Sequence, residues 1–531
     1  MKKIIAIALA VLLAFSCSAV AFAATEEVTP VLVISGMGAF PICDEDSGEQ
    51  VFGPSAETII KTVLKAAPSL AAAALLNKWE IFGEYGAQPI HDLFEKMRCD
   101  ENGDSVYNLA AKSFPENAGN YDDFKEGDVG ERAVVRAVAE KIGWENTYMF
   151  YYDFRRSALD IADDLNETVK KVLSDTGSEK LNIIAMSFGG TVTSAYLYKY
   201  GSDSLKNVVY ASTAVCGTDI VGEMYSGNFE IALDSILDYL EEYLVSSSAA
   251  YELVGLGSAA LNKYGSAAKT AIDAYLNAMI ETLKDPVYSK VFMDTFARFP
   301  GVWGLINAKY YEKAKEFLVP YASLSDEFIK KTDEYAYNVE MKNEELIAEA
   351  EANGVNVYMV GAYGYSGIPL TNGASNQTDS LIDTYLMTGY ATVSKYGKTL
   401  SESDYIRDAV CTDKSHNHIS TDGTIDASTC FVPERTWFVK NMGHVEFGYG
   451  QDSGKLLVWI ATSENGVDVN SDSRYPQFVE LNRNSGKCTS LTEDVTIPVS
   501  SDEKTEKSFL EKLGELLALL FRFLCSVISK G

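Results

Sequence analysis

The stretch Asn182-Ile-Ile-Ala-Met-Ser187-Phe-Gly189-Gly190-Thr-Val-Thr-Ser-Ala-Tyr-Leu-Tyr198 decides the fold. An apolar run ends at a serine, and a helical pattern begins two residues later. A serine hydroxyl becomes a competent nucleophile only when a base takes its proton and donors await the oxyanion that forms. A strand-to-helix turn supplies both settings. It lifts the side chain clear at the carboxyl end of a sheet, and it puts the next N–H at a helix N-terminus, where the dipole favours negative charge. So tight a turn needs small residues two before and two after the serine, and here they are Ala185 and Gly189. The stretch therefore reads as an A-x-S-x-G nucleophile elbow with Ser187 at its apex.

Working outward, Lys180–Met186 is the strand that feeds the elbow. Before it, Ser157–Gly177 places Ile161, Leu165, Val169 and Val172 on one helical face, with Gly177 as the stop. Glu145–Arg155 and Pro30–Ile34 read as further buried strands, and Leu205–Val215 as the next one. Residues 55–98 read as helical with a break at Pro68. Buried strands alternating with amphipathic helices predict an α/β protein, a mostly parallel sheet with helices on both faces. Residues 216–345 break the rhythm. They are almost wholly helical in pattern and read as an inserted cap, after which strands return at Val355 and Thr436.

Four segments follow from this. Residues 1–24 have two lysines, an apolar run and Ala21-Phe22-Ala23, the shape of a secretory signal peptide. Cys17 offers a lipoprotein alternative, but Ala14, Phe15 and Ser16 before it make a poor lipidation box. Residues 25–450 form the catalytic α/β domain. Residues 451–498 read as a small β extension with a hairpin at Asn484-Ser485-Gly486. Residues 499–531 are a polar linker and an amphipathic helix that would contact a membrane surface rather than span the bilayer, being interrupted by Glu515 and Arg522. The expected location is outside the cell, in solution or at its surface.

The net charge of -30 becomes -32 once Lys2 and Lys3 leave with the signal, which disfavours nucleic acid as a partner. Export permits disulfides. Cys43 with Cys99, and Cys411 with Cys430, are the pairs that would each close one surface loop.

The elbow's partners can be sought by chain order, which for this arrangement is serine, acid, histidine. Of the four histidines, His444 ends the strand Thr436–Asn441, where the base belongs. His91 comes before the serine, and His416 and His418 lie in a polar loop. Two aspartates compete for the acid. Asp379 comes soonest after its strand, and Asp422 lies nearest the histidine strand. The glycine-flanked loop Gly36-Met37-Gly38 suits the second oxyanion donor, with the Met37 N–H first and Gly38 next; the Phe188 N–H is the other donor. Cys411, Asp413, His416 and His418 read as a solvated loop rather than a metal site, and Asp468–Ser473 lacks the glycine and glutamate of a calcium loop. No cofactor is expected.

Several pieces in order resemble the lecithin:cholesterol acyltransferase and lysosomal phospholipase A2 group of α/β-hydrolases. These are Pro30–Gly38, Tyr152-Asp153-Phe154-Arg155, Ala185–Gly190, Phe299–Ile306 and Thr378–Tyr390. The elbow differs in having Ala185 for the group's glycine and Met186 for its histidine, and Asp379-Ser380 stands for its Asp-Gly. The resemblance implies an α/β-hydrolase fold, Asp379 as the acid, acyl transfer from a lipid ester to water or an alcohol, and a lid bracketed by Cys43 and Cys99. A small-ester carboxylesterase or peptidase of the same fold is the alternative, and a non-catalytic surface protein on that scaffold is a third reading.

Overall fold

The first buried strand, β1 (Val31–Ile34), alternates between two cores. Leu32 and Ile34 join one, Val31 and Val33 the other. Successive side chains of a strand point to opposite faces, so a strand apolar at every position must be covered on both. The same division separates Ile183 and Ala185 from Ile184 and Met186 in β6 (Leu181–Met186).

The computed structural model describes residues 28–491 except 53–64, 66–68, 70–71, 74–75, 77, 245–268, 271–272, 286–287, 294, 402 and 405–417. The signal peptide, the tail 499–531, Pro68, Cys411, Asp413 and His416 lie outside the described residues. No helix among the described residues is long and apolar enough to cross a membrane.

The remaining strands of the main sheet are β5 (Thr147–Phe150), β7 (Leu205–Ala211), β8 (Asn356–Tyr363), β11 (Thr436–Lys440), β12 (Phe478–Asn482) and β13 (Lys487–Ser490). They run in the order β13-β12-β11-β8-β7-β6-β1-β5. Every pairing is parallel except β12 with β13. Helices α1 (Gly130–Ile142) and α8 (Asp452–Ala461) cover one face, and α2 (Ala158–Thr176), α3 (Gly189–Tyr200) and α7 (Asn343–Ala352) the other. This is an α/β fold, a mostly parallel eight-stranded sheet with helices on both faces. Two small sheets lie outside it: β2 (Ile42–Asp44), β3 (Gln50–Phe52) and β4 (Leu109–Ala111), then β9 (Thr392–Val393) with β10 (Ile425–Asp426).

Between β7 and α7 most of the described residues are helical, with α4 (Asp219–Tyr225), α5 (Ala308–Ala322) and α6 (Asp326–Asn338) packed next to the sheet. They fill the interval read as a cap. In the stretch 55–98, the described helices are Glu80–Tyr85 and Ala87–Phe94.

Two expectations need correction. The hairpin after His444 is present, but it is not a separate extension. β12 pairs in parallel with β11, and Phe438 stacks on Phe478 at 5.3 Å between ring centroids. The Cys43–Cys99 bridge is absent: both are free thiols, each on a differently paired stretch of backbone. Cys43 faces Ala110 across β2 and β4, whereas Cys99 bridges Ser105 and lies buried. Cys430 is likewise a free buried thiol.

Candidate active site

β1, next to the edge strand β5, lies between β5 and β6, so the chain's connections run off to opposite sides of it at that point. Ligands of open α/β sheets bind at such switch points, beyond the carboxyl ends of the strands. The loop after β1 and the turn after β6 meet there.

At the end of β6 the chain reverses through Ser187, whose φ is +51°. A non-glycine residue in that region carries strain, which persists only where the surroundings over-determine it. Here they do. The Ser187 carbonyl accepts the N–H groups of Gly190 at 3.1 Å and Ala214 at 3.3 Å. The two glycines that follow are required by contact. A methyl on Gly189 would fall 2.6 Å from the Ile34 carbonyl oxygen, and one on Gly190 would fall 2.5 Å from Thr213 Cβ. α3 then starts with Phe188 at its cap, so the helix N-terminus points at the serine.

His444 Nε2 lies 2.9 Å from Ser187 Oγ, and its Nδ1 lies 2.7 Å from Asp379 Oδ2. Asp379 is fully buried. Its Oδ1 accepts the Leu381 and Ile382 N–H groups at 3.0 and 2.8 Å, which leaves Oδ2 directed at the ring. The imidazole is held protonated to higher pH than usual. Burial opposes the charge, but the Asp379 carboxylate outweighs that, and Glu131 adds to it. Three residues far apart in the chain thus form one continuous line of hydrogen bonds. A serine hydroxyl bonded to an imidazole, itself held by a buried carboxylate, can pass a proton away as the oxygen attacks.

Asp422 is placed elsewhere. Its carboxylate accepts from the Ser420 and Thr424 hydroxyls, both at 2.7 Å, from Tyr363 at 3.2 Å, and pairs with Lys440 at 3.1 Å. It is thus engaged as a turn and strand-end anchor, not by His444. His418 is buried between Gln477 and Glu434, and His91 lies on its helix beside Gln88.

The loop after β1 reaches the serine through Gly36. A methyl there would be 2.8 Å from Ser187 Cβ. Met37 follows with a half-exposed side chain. The Tyr152-Asp153-Phe154-Arg155 segment braces this loop. Tyr152 donates to the Ser35 carbonyl at 2.6 Å, while buried Arg155 ties Asp153 to the Met97 carbonyl.

Two features escaped sequence reading. Glu131, in the first turn of α1, accepts the Gly36 N–H at 3.1 Å. By sequence it is an ordinary first-turn acid, of the kind that complements a helix dipole. Asp383 shares Asn376 with Asp219 and accepts the Asp219 N–H at 2.8 Å, joining the start of the cap to the loop that carries Asp379. Burial and the adjacent Asp219 raise the Asp383 carboxyl well above its ordinary range.

Beside His444 opens a cleft of about 1200 Å³ lined by Tyr365, Asn441, Glu446, Glu480 and Arg483. No group of three or more possible metal ligands occurs among the described residues.

No family model and no curated protein matches the chain. Among solved structures, the crystal structure of a Tle4–Tli4 complex aligns over 82% of this chain and 99% of its own, at 10% identity and a TM-score of 0.28. The functional reading therefore rests on this chain's own geometry.

Proposed function

We propose that the chain is a serine hydrolase acting on acyl esters, with lipid esters as the leading substrates. The observation that carries this reading is the unbroken hydrogen-bonded line Ser187–His444–Asp379 at the switch point of the sheet. Ser187 Oγ attacks the acyl carbonyl carbon while His444 Nε2 accepts its proton. Asp379 holds the ring and offsets its charge. The carbonyl electrons move to oxygen, where the Met37 and Phe188 N–H groups are the proposed donors. Collapse of the tetrahedral centre breaks the ester C–O bond. His444 returns the proton to the leaving oxygen, and the acyl group stays on Ser187. Water, or an alcohol in the transferase variant, then attacks by the same route and frees the serine.

Support for a lipid acyl group comes from the cap. There a largely apolar hollow of about 210 Å³ is lined by Met224, Phe229, Ile280, Leu283, Tyr288 and Phe292, with Lys284 and Leu370 completing its wall. The reading includes export through residues 1–24 and, through 499–531, contact with a membrane surface.

The test is fluorophosphonate labelling together with hydrolysis of p-nitrophenyl esters of increasing chain length. Wild type should label and prefer longer chains, and Ser187→Ala should do neither while keeping its circular dichroism. Full activity in Ser187→Ala would refute the reading. A preference for acetyl esters would keep the chemistry and reject the lipid.

A further inference from the structure

A buried carboxylate stands at the Ser187 centre without a part in the acyl-transfer steps above. Gly130, at φ +69°, turns the chain into α1, and Glu131 follows with only 9% of its surface exposed. Its Oε1 takes the Gly36 N–H at 3.1 Å. A methyl placed on Gly36 would lie 3.2 Å from that oxygen and 3.3 Å from Ser187 Oγ, so glycine, serine and carboxylate are stacked within one side chain's width. A first-turn acid that served only the helix dipole would face solvent or its own helix. This one points away, into the loop after β1.

The placement carries a cost. A fixed negative charge near a forming oxyanion opposes it. Two gains offset that. The carboxylate hydrogen bond fixes the peptide unit one residue before Met37, at the point where the loop passes closest to the serine. From the other side the same loop is held by Tyr152 on the Ser35 carbonyl and by the Ser35 N–H on the Phe150 carbonyl at 3.1 Å. With Glu131 added, the loop is gripped on successive residues before the proposed donor.

Resting on the acyl-transfer reading, we infer that Glu131 is a positioning residue: by holding the Gly36 N–H it aims the Met37 N–H at the oxyanion formed on the Ser187 adduct.

Its charge has a second effect. Asp379 from the acid loop bonds the His444 ring and Glu131 from α1 acts on its charge, while Glu446 from the histidine's own turn accepts the Gly443 N–H and lines the same cleft. Glu446 is paired with Arg483 of the β12–β13 hairpin at 2.7 Å, and Glu480 and Lys487 lie farther along the cleft. Glu131 and Asp379 both favour the protonated ring.

The experiment compares Glu131→Gln, which keeps an oxygen for Gly36 and loses the charge, with Glu131→Ala, which loses both. Three readouts are taken on the full chain. They are p-nitrophenyl ester kinetics, hydrogen exchange of the segment 33–40, and an NMR titration of the four histidines. Displacing a reacting group by about 1 Å costs about 100-fold in rate. Glu131→Ala should therefore lose about 100-fold in kcat with KM within about twofold, and the 33–40 amides should exchange faster. Glu131→Gln should keep kcat within about tenfold and slow exchange, while His444 titrates at lower pH than in wild type. Wild-type kcat and exchange in Glu131→Ala would overturn the inference. Equal losses in both variants would overturn it too, since the retained hydrogen bond would then count for nothing. If wild type itself neither labels nor hydrolyses, the acyl-transfer reading fails, and exchange alone decides the anchor: unchanged 33–40 amides in Glu131→Ala would remove it. Should Glu131→Ala fold poorly, the Gln variant's exchange and titration carry the test.

Discussion

Asp379 and Asp422 sit in the same local text, Thr-Asp-x-x-Ile-Asp, and do different work. Asp379 spends Oδ1 on its own loop and keeps Oδ2 for His444. Asp422 has both oxygens engaged, with Ser420 and Thr424 on Oδ1 and Tyr363 and Lys440 on Oδ2. Nothing in the local text distinguishes them, because the difference lies in which strand end each loop overhangs. Asp379→Asn should cut kcat by about 10⁴-fold, the size of effect expected when an acid that holds a catalytic imidazole becomes an amide. Asp422→Asn should leave kcat near wild type and lower stability by about 1–3 kcal/mol, through buried partners left unpaired. Ester hydrolysis and urea unfolding of the two variants separate these outcomes. The serine and histidine were legible for a different reason. Small residues around an apical serine, and a histidine ending a strand, are local signatures with a steric cause. Glu131 carried no such mark, since its partner Gly36 is 95 residues away.

At the scale of elements, the elbow stands on the contact between α3 and the end of β1. Gly189→Ala would drive a methyl to 2.6 and 2.9 Å from the Ile34 and Ser35 carbonyl oxygens. Backbone cannot step aside as a side-chain tip can. This variant should therefore lose about 3 kcal/mol or more, read by denaturant unfolding, with the serine displaced and activity lost. A different element controls pH sensitivity. Glu340, in the turn between α6 and α7, is buried, and its carboxyl is pushed up to about 7 by that burial. Its Oε1 accepts the Ala308 N–H at 3.1 Å. An acid whose folded pKa is raised leaves the native state holding more protons between about pH 4.5 and 7, so stability falls as pH rises through that window. Glu340→Gln keeps the acceptor without the charge. It should melt a few degrees above wild type at pH 8 and level with it at pH 5, in paired thermal scans. The helical periodicity of the cap was plain in the sequence. The hairpin's attachment was not, because alternation reveals two strands and a turn but not the parallel neighbour. That neighbour is β11, supplied by residues 436–440.

For the molecule as a whole, stability comes from two large cores on either side of one sheet and a smaller cluster around Phe438 and Phe478, without cross-links among the described residues. Burial pushes the Cys99 and Cys488 thiols up to about 12, so neither is a ready nucleophile near neutral pH. Thiol titration of protein denatured without reductant should find at least the five cysteines 43, 99, 216, 430 and 488 free, and fewer would contradict their unpaired placement.

The place of β1 between two strands that come later in the chain also dictates an order of events. Val31 pairs with Thr147 on one side and Asn182 on the other, so the earliest strand to emerge waits for more than a hundred further residues before either neighbour exists. Until then an aliphatic ribbon, Val-Leu-Val-Ile, is without its mates in a growing or translocating chain. Pairings so distant along the sequence are reached slowly and leave adhesive intermediates meanwhile. Dilution from denaturant should thus recover the native state sluggishly, and in better yield at low concentration, where chains seldom collide before β1 gains both its neighbours.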